Sequence, residues 1–236
     1  MHLPRIPFTF SYQSFTRYVR DNCDSEQEVD GSLVNERWLY KNMAEYLNAR
    51  ASHLYEFTWE KFIPAEFHTR LPGRQKNVDM VATSKKAANS SLSIVLEAKL
   101  MIDDNRSWAR QIVTDLLRVA CIKDQTNRRT QRYVMVAGQE RCWTLLSKQC
   151  DGFLPALVPM ERQRSPSTLW LRPKRKWTSF SDRWRTKHED MLEDYLLPLL
   201  PSGVGIELTG CSKSNRGPDE QPEAGITTRL WRVFPK

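Results

Sequence analysis

Asp79, Glu97 and Lys99 have the types and the spacing to meet a divalent cation or a polar substrate at the end of a strand. The stretch Leu92 to Leu100 reads Leu-Ser-Ile-Val-Leu-Glu-Ala-Lys-Leu. Six of its nine residues are Leu, Ile, Val or Ala, as in a strand covered on both faces, yet two charges sit near its end. Side chains alternate across a strand, so Glu97 and Lys99 share one face while Ile94, Leu96, Ala98 and Leu100 take the other. Burying either charge alone is expensive, and a metal ion or a polar substrate would partner them. Upstream, Val78-Asp79-Met80-Val81-Ala82 is a second short apolar run broken by a single acid, and the polar residues 84–91 read as the turn between the two runs. In such a hairpin Asp79 and Glu97 can converge on one divalent cation, with oxygen ligands suited to magnesium or manganese. The competing reading of Glu97 and Lys99 is an ion pair within the sheet of a protein of unrelated function.

An Asp, seventeen intervening residues and then Glu97-Ala98-Lys99 at a strand end resembles the PD-(D/E)XK nuclease superfamily, with its restriction-endonuclease-like fold. Val78 stands where the superfamily often has Pro. The resemblance implies an α/β core, a central mixed sheet flanked by helices, over residues 32–150. It also implies an endonuclease that hydrolyses phosphodiester bonds of DNA, in preference to RNA, with Mg2+ or Mn2+. Asp79, Glu97 and the carbonyl of Ala98 would hold the metal, and Lys99 would orient the attacking water. An acid on the first core helix often completes such a site, a role carried to Glu36 with Glu45 as second choice. Gln111 corresponds to a polar residue that the superfamily often places near the metal. A role in bacterial defence against phage or mobile DNA follows by analogy alone. A different class keeps the fold without catalysis: a nucleic-acid-binding or scaffolding subunit of a larger complex. Inactive relatives usually lose an acid or the Lys, and here all three remain, which favours an enzyme. A single site cuts both strands of a duplex only by dimerising or acting twice, so a homodimer or a partner subunit is expected, although no stretch identifies the interface.

The elements that must position these residues are legible in outline. A helix is expected from Ser32, with Ser32 as cap and Leu39, Met43 and Leu47 as its apolar stripe. Glu36 lies one turn before Leu39 on that inward face; it also reads as an ordinary first-turn acid favoured by the helix dipole. Residues 54–67 are aromatic and apolar and read as strands. Arg70, Arg74 and Lys76 around Pro72-Gly73 form a basic turn that either touches a phosphate or is merely solvated. After the polar connector 103–107, Trp108 to Ile122 is the clearest helix, with Trp108, Ile112, Leu116 and Val119 as its buried stripe. Gln111, Asp115 and Arg118 share a neighbouring face, and Asp115 with Arg118 reads as a surface ion pair. Residues 133–138 form a buried strand that completes a crossover unit with the Glu97 strand, and 140–149 a short helix.

Outside 32–150 the chain is less readable. Residues 1–31 form an N-terminal segment whose aromatics pack as a strand or short helix. Residues 151–236 read as an α+β elaboration packing on the core. Within it, Arg172, Lys174, Arg175 and Lys176 lie between Trp170 and Trp177, a pattern suited to a nucleic-acid backbone with base stacking or to a solvated loop with buried tryptophans. An amphipathic helix is expected over 181–200, with His188 along its stripe, and strands over 203–210 and 227–234. The net charge of +8 and pI near 9.3 favour a polyanionic partner. The five cysteines show no paired metal-ligand spacing and read as reduced and mostly buried. No run approaches the roughly 18 apolar residues of a membrane span, and no secretory signal is read at the start, so a cytoplasmic protein without membrane contact is expected. The nucleophile-elbow, phosphate-loop and dinucleotide-binding motifs are missing from the sequence.

Overall fold

The computed structural model describes residues 11–30, 35–62, 77–85, 92–103, 107–123, 130–150, 168–171, 200, 202–213 and 225–235. Their strands are β1 (Tyr55–Phe62), β2 (Asn77–Ser84), β3 (Leu92–Met101), β4 (Gln131–Gln139), β5 (Thr168–Leu171), β6 (Val204–Ser212) and β7 (Ile226–Pro235). Together they make one sheet in the order β1-β2-β3-β4-β7-β6-β5. The β3–β4 pair is parallel and the other pairs are antiparallel, so the sheet is mixed. The helices are α1 (Tyr12–Asp30), α2 (Glu36–Ala51), α3 (Trp108–Ala120) and α4 (Glu140–Cys150). The parallel β3–β4 pair needs a crossover connection, and α3 supplies it.

The sheet is covered on both faces, which explains the near-continuous apolar character of its central strands. On one side Phe15, Val19 and Cys23 of α1 and Leu39, Met43 and Leu47 of α2 pack on Met80, Ala82, Ile94, Leu96, Ala98, Leu100, Tyr133 and Met135. On the other, Trp108, Ile112, Leu116 and Val119 of α3 and Trp143 of α4 pack on Met101, Val134, Val136, Ile206, Trp231 and Val233. Trp143 also anchors α4 to the sheet through its indole N–H, which donates to the carbonyls of Gly138 and Thr227 at 3.1 Å each.

Three expectations are corrected by this arrangement. Helix α2 begins at Glu36 rather than at Ser32, because Asn35 is the residue whose side chain accepts the free N–H groups of Arg37 and Trp38. The described part of the N-terminal segment, Tyr12–Asp30, is one helix of 19 residues, since Phe15, Val19 and Cys23 recur at helical spacing and fall on one buried face. The C-terminal strands do not lie on a finished core: β7 pairs with β4 along its length and so completes the central sheet. Several expected features lie outside the described residues, namely the basic turn with Arg70, Arg74 and Lys76, the cluster Arg172, Lys174, Arg175 and Lys176, and most of the 181–200 helix.

Candidate functional site

The hairpin of β2 and β3 sets the site. Its register pairs Met80 with Leu96, Val81 with Val95 and Ala82 with Ile94. One step further, where that pairing has ended, Asp79 faces Glu97. Asp79 is also passed over in the β1–β2 pairing, which joins Trp59 to Met80 and Lys61 to Val78. Glu60, the residue between those two partners, has φ of 49°, in the left-handed region that non-glycine residues rarely adopt. The ladders on both sides of Asp79 therefore yield around it. The freed N–H of Ala98 donates to Asp79 Oδ2 at 2.7 Å, which fixes the carboxylate beside β3. The Tyr40 hydroxyl, from α2, stands beside the same carboxylate.

Glu97 and Lys99 project toward α3, as alternation requires, because Val95 and Met101 on the same face lie in clusters separate from that of Ile94, Leu96 and Ala98. Glu97 is 2 % exposed. From α3, Arg118 Nη2 comes to 2.5 Å from Glu97 Oε1 and 3.5 Å from Asp115 Oδ1. Lys99 Nζ lies 3.7 Å from Glu36 Oε1 and 4.0 Å from Asp115 Oδ2. Four carboxyls, those of Glu36, Asp79, Glu97 and Asp115, thus surround two cations. The cluster opens to solvent at Glu36, whose side chain is 47 % exposed, and closes at Glu97.

The excess of acid has electrostatic consequences. Burial, reinforced by the Asp79 carboxylate, holds the Glu97 carboxyl well above the usual carboxylate range, against the pull of Arg118. The Asp79 carboxylate stands close enough to Glu97 to oppose its ionisation. Burial also raises Asp115, opposed by Arg118 and Lys99. For Arg118 burial disfavours the charge, but Glu97 and Asp115 outweigh it and hold the guanidinium above its ordinary value. Tyr40 is raised by burial and by the charges of Asp79 and Glu36.

The short approach of Arg118 to Glu97 is an ion pair but not a well-directed hydrogen bond. Among the described residues, buried Glu97 Oε1 and Arg118 Nε both lack a hydrogen-bond partner. Oε1 thus has a cation beside it without a directed hydrogen bond, an environment that a hard cation also suits. Among the described residues no three acids, histidines or cysteines close into a metal cage. Magnesium does not need one, since it binds through one or two carboxylates and keeps several waters. Asp79 and Glu97, with the carbonyl of Ala98, make a fitting donor set for Mg2+ or Mn2+.

Of the residues singled out by sequence, Asp79, Glu97, Lys99 and Glu36 are brought together. Glu45 is not: it is exposed on α2, where its carboxylate accepts from the Tyr18 hydroxyl at 3.4 Å. The Gln111 side-chain amide donates to Ser107 Oγ at 2.7 Å, bracing the start of α3. The Asp115–Arg118 pair is not on the surface, because the face of α3 that carries it docks over β3; Asp115 is 9 % exposed. Sequence reasoning did not assign Asp115, Arg118 or Tyr40 to the site. The available signal was their place one or two turns from the Glu97-facing stripe of α3, or from Glu36 on α2. No family model matches the chain, and neither a curated protein nor a solved structure does.

Proposed function

We propose that the chain is a divalent-metal-dependent nuclease of restriction-endonuclease-like fold that hydrolyses phosphodiester bonds, with DNA as the preferred substrate. The observation that carries this reading is the meeting of Asp79 and Glu97 at the end of the β2–β3 ladder, with Lys99 on the same face. The order of a helix, an antiparallel hairpin, a crossover helix and a parallel strand agrees with it. So does the net charge of +8, which suits a polyanionic substrate.

In this reading Asp79, Glu97 and the Ala98 carbonyl hold Mg2+ or Mn2+, with Glu36 at the solvent side. When bound, the ion polarises the phosphate and lowers the pKa of a water. The protein does the rest. Ala98 N–H fixes the Asp79 carboxylate, so that little reorganisation is left to the reaction. Lys99, between Glu36 and Asp115, places an ammonium near the solvent opening, where it orients the attacking water and offsets phosphate charge.

A second reading is a nucleic-acid-binding subunit without catalysis, and the contact of Arg118 with Glu97 favours it, since the guanidinium already neutralises one acid. Incubating supercoiled plasmid, single-stranded DNA and RNA with the protein and Mg2+ or Mn2+ separates the two. The nuclease reading expects metal-dependent cutting that is lost in Lys99→Ala. A wild type as inert as the variant, with nucleic-acid binding retained, would leave the binding subunit.

A further inference from the structure

We propose that Arg118 is an internal cation that occupies the metal's electrostatic position on Glu97, so that divalent metal binds by displacing it. The inference rests on the reading of Asp79 and Glu97 as metal ligands and extends it to a residue of α3.

Arg118 sits where an incoming cation would be drawn, with Nη2 at 2.5 Å from an oxygen of the most deeply buried acid in the cluster. Its fit there is incomplete. The Nε and the Glu97 Oε1 make no hydrogen bond among the described residues, whereas a guanidinium settled on a carboxylate does so through paired, directed bonds. Asp115 offers it a second place, at 3.5 Å one turn away on the same helix. The guanidinium can therefore leave Glu97 without being stranded in the core. Lys99 and Glu36 lie on the solvent side of Asp115, so the carboxyl that receives Arg118 is already shared by a second cation. Asp115 thus acts as a counter-charge for both bases, and Arg118 is a positioning residue that sets metal affinity.

Another buried arginine shows what a settled guanidinium looks like in this chain. Arg132 donates from Nε to the Ile122 carbonyl at 2.8 Å and from Nη1 to the Thr130 carbonyl at 2.7 Å. Its role is structural, which Arg118 does not resemble.

The test is a Mn2+ titration of the folded protein, read by the electron paramagnetic resonance of free Mn2+, at mildly alkaline pH where proton competition for the carboxyls is weakest. Arg118→Met is expected to bind Mn2+ at least about tenfold more tightly than wild type, because a unit positive charge beside the site is gone. Arg118→Gln, which keeps a donor for Glu97, carries the same expectation if the Met variant does not fold. Glu97→Gln serves as the control for the site. If wild type binds Mn2+ in a Glu97-dependent way but neither Arg118 variant binds it more tightly, the displacement is wrong and the metal site stands. If none of the proteins binds Mn2+, both are overturned.

Discussion

Strand β3 presents two faces of opposite character. Toward α1 and α2, Ile94, Leu96, Ala98 and Leu100 are all at most 3 % exposed and lie within a single apolar cluster. Toward α3, Val95 and Met101 are as fully buried, but Glu97 and Lys99 stand between them and draw in Asp115 and Arg118. Apolar residues of similar size in those four positions would avoid the desolvation of several charges and would commonly be neutral or stabilising. Stability therefore gives no reason for the charged face, whereas the proposed cation and phosphate chemistry would. One strand serves both ends: the α1–α2 face holds the sheet rigid, and that rigidity positions the acids on the other.

The contrast can be broken most severely at the acids. Asp79→Asn is expected to reduce metal-dependent plasmid cleavage by about a thousandfold, read as initial nicking rates, while far-ultraviolet circular dichroism stays that of the wild type. The mirror experiment lies one residue from Glu97 on the opposite face. Leu96→Ala should cost about 3 kcal/mol in urea unfolding, by the loss of buried methyl groups and the cavity left behind.

Smaller effects sharpen the comparison. Arg132→Leu leaves the carbonyls of Ile122 and Thr130 without their donor and should cost about 1–3 kcal/mol in the same assay, with Mn2+ affinity unchanged. Glu97→Gln goes the other way: without metal it should leave stability unchanged or raise Tm by about 2–4 °C, although it abolishes metal binding. The pH dependence follows the same logic. Because burial raises Glu97 and Asp115 in the folded protein, the native state holds more protons than the unfolded chain between the ordinary carboxylate range and the raised values. Metal-free stability contributed by these groups is thus fully present below the ordinary range and declines as pH rises through the raised values. Glu97→Gln should flatten that decline in a series of urea melts across pH.

Much of this was legible in the sequence, for reasons that particular residues make plain. Asp79 and Glu97 are joined by a short hairpin, so local register alone puts them on one face. The stripe Trp108, Ile112, Leu116 and Val119 marks α3 unambiguously, because its period cannot suit a strand. What escaped was set by distant parts of the chain. An acid and an arginine three residues apart on a helix look alike whether the helix turns them to water or to a sheet, and only the docking of α3 on β3 buries Asp115 and Arg118. Likewise nothing near residues 226–235 announces that β7 will pair with β4, far upstream, rather than pack on it. The cap of α2 lies at Asn35 rather than at Ser32, and both residue types can cap a helix.

The central claim is that Asp79 and Glu97 hold a divalent cation and that Arg118 gives way to it. Anomalous diffraction from crystals soaked in Mn2+ tests it most directly. The account predicts a peak within about 2–2.5 Å of a carboxylate oxygen of each acid, with the guanidinium of Arg118 moved off Glu97 toward Asp115. Density for Arg118 still seated on Glu97, with no peak beside Asp79 at saturating Mn2+, would contradict it.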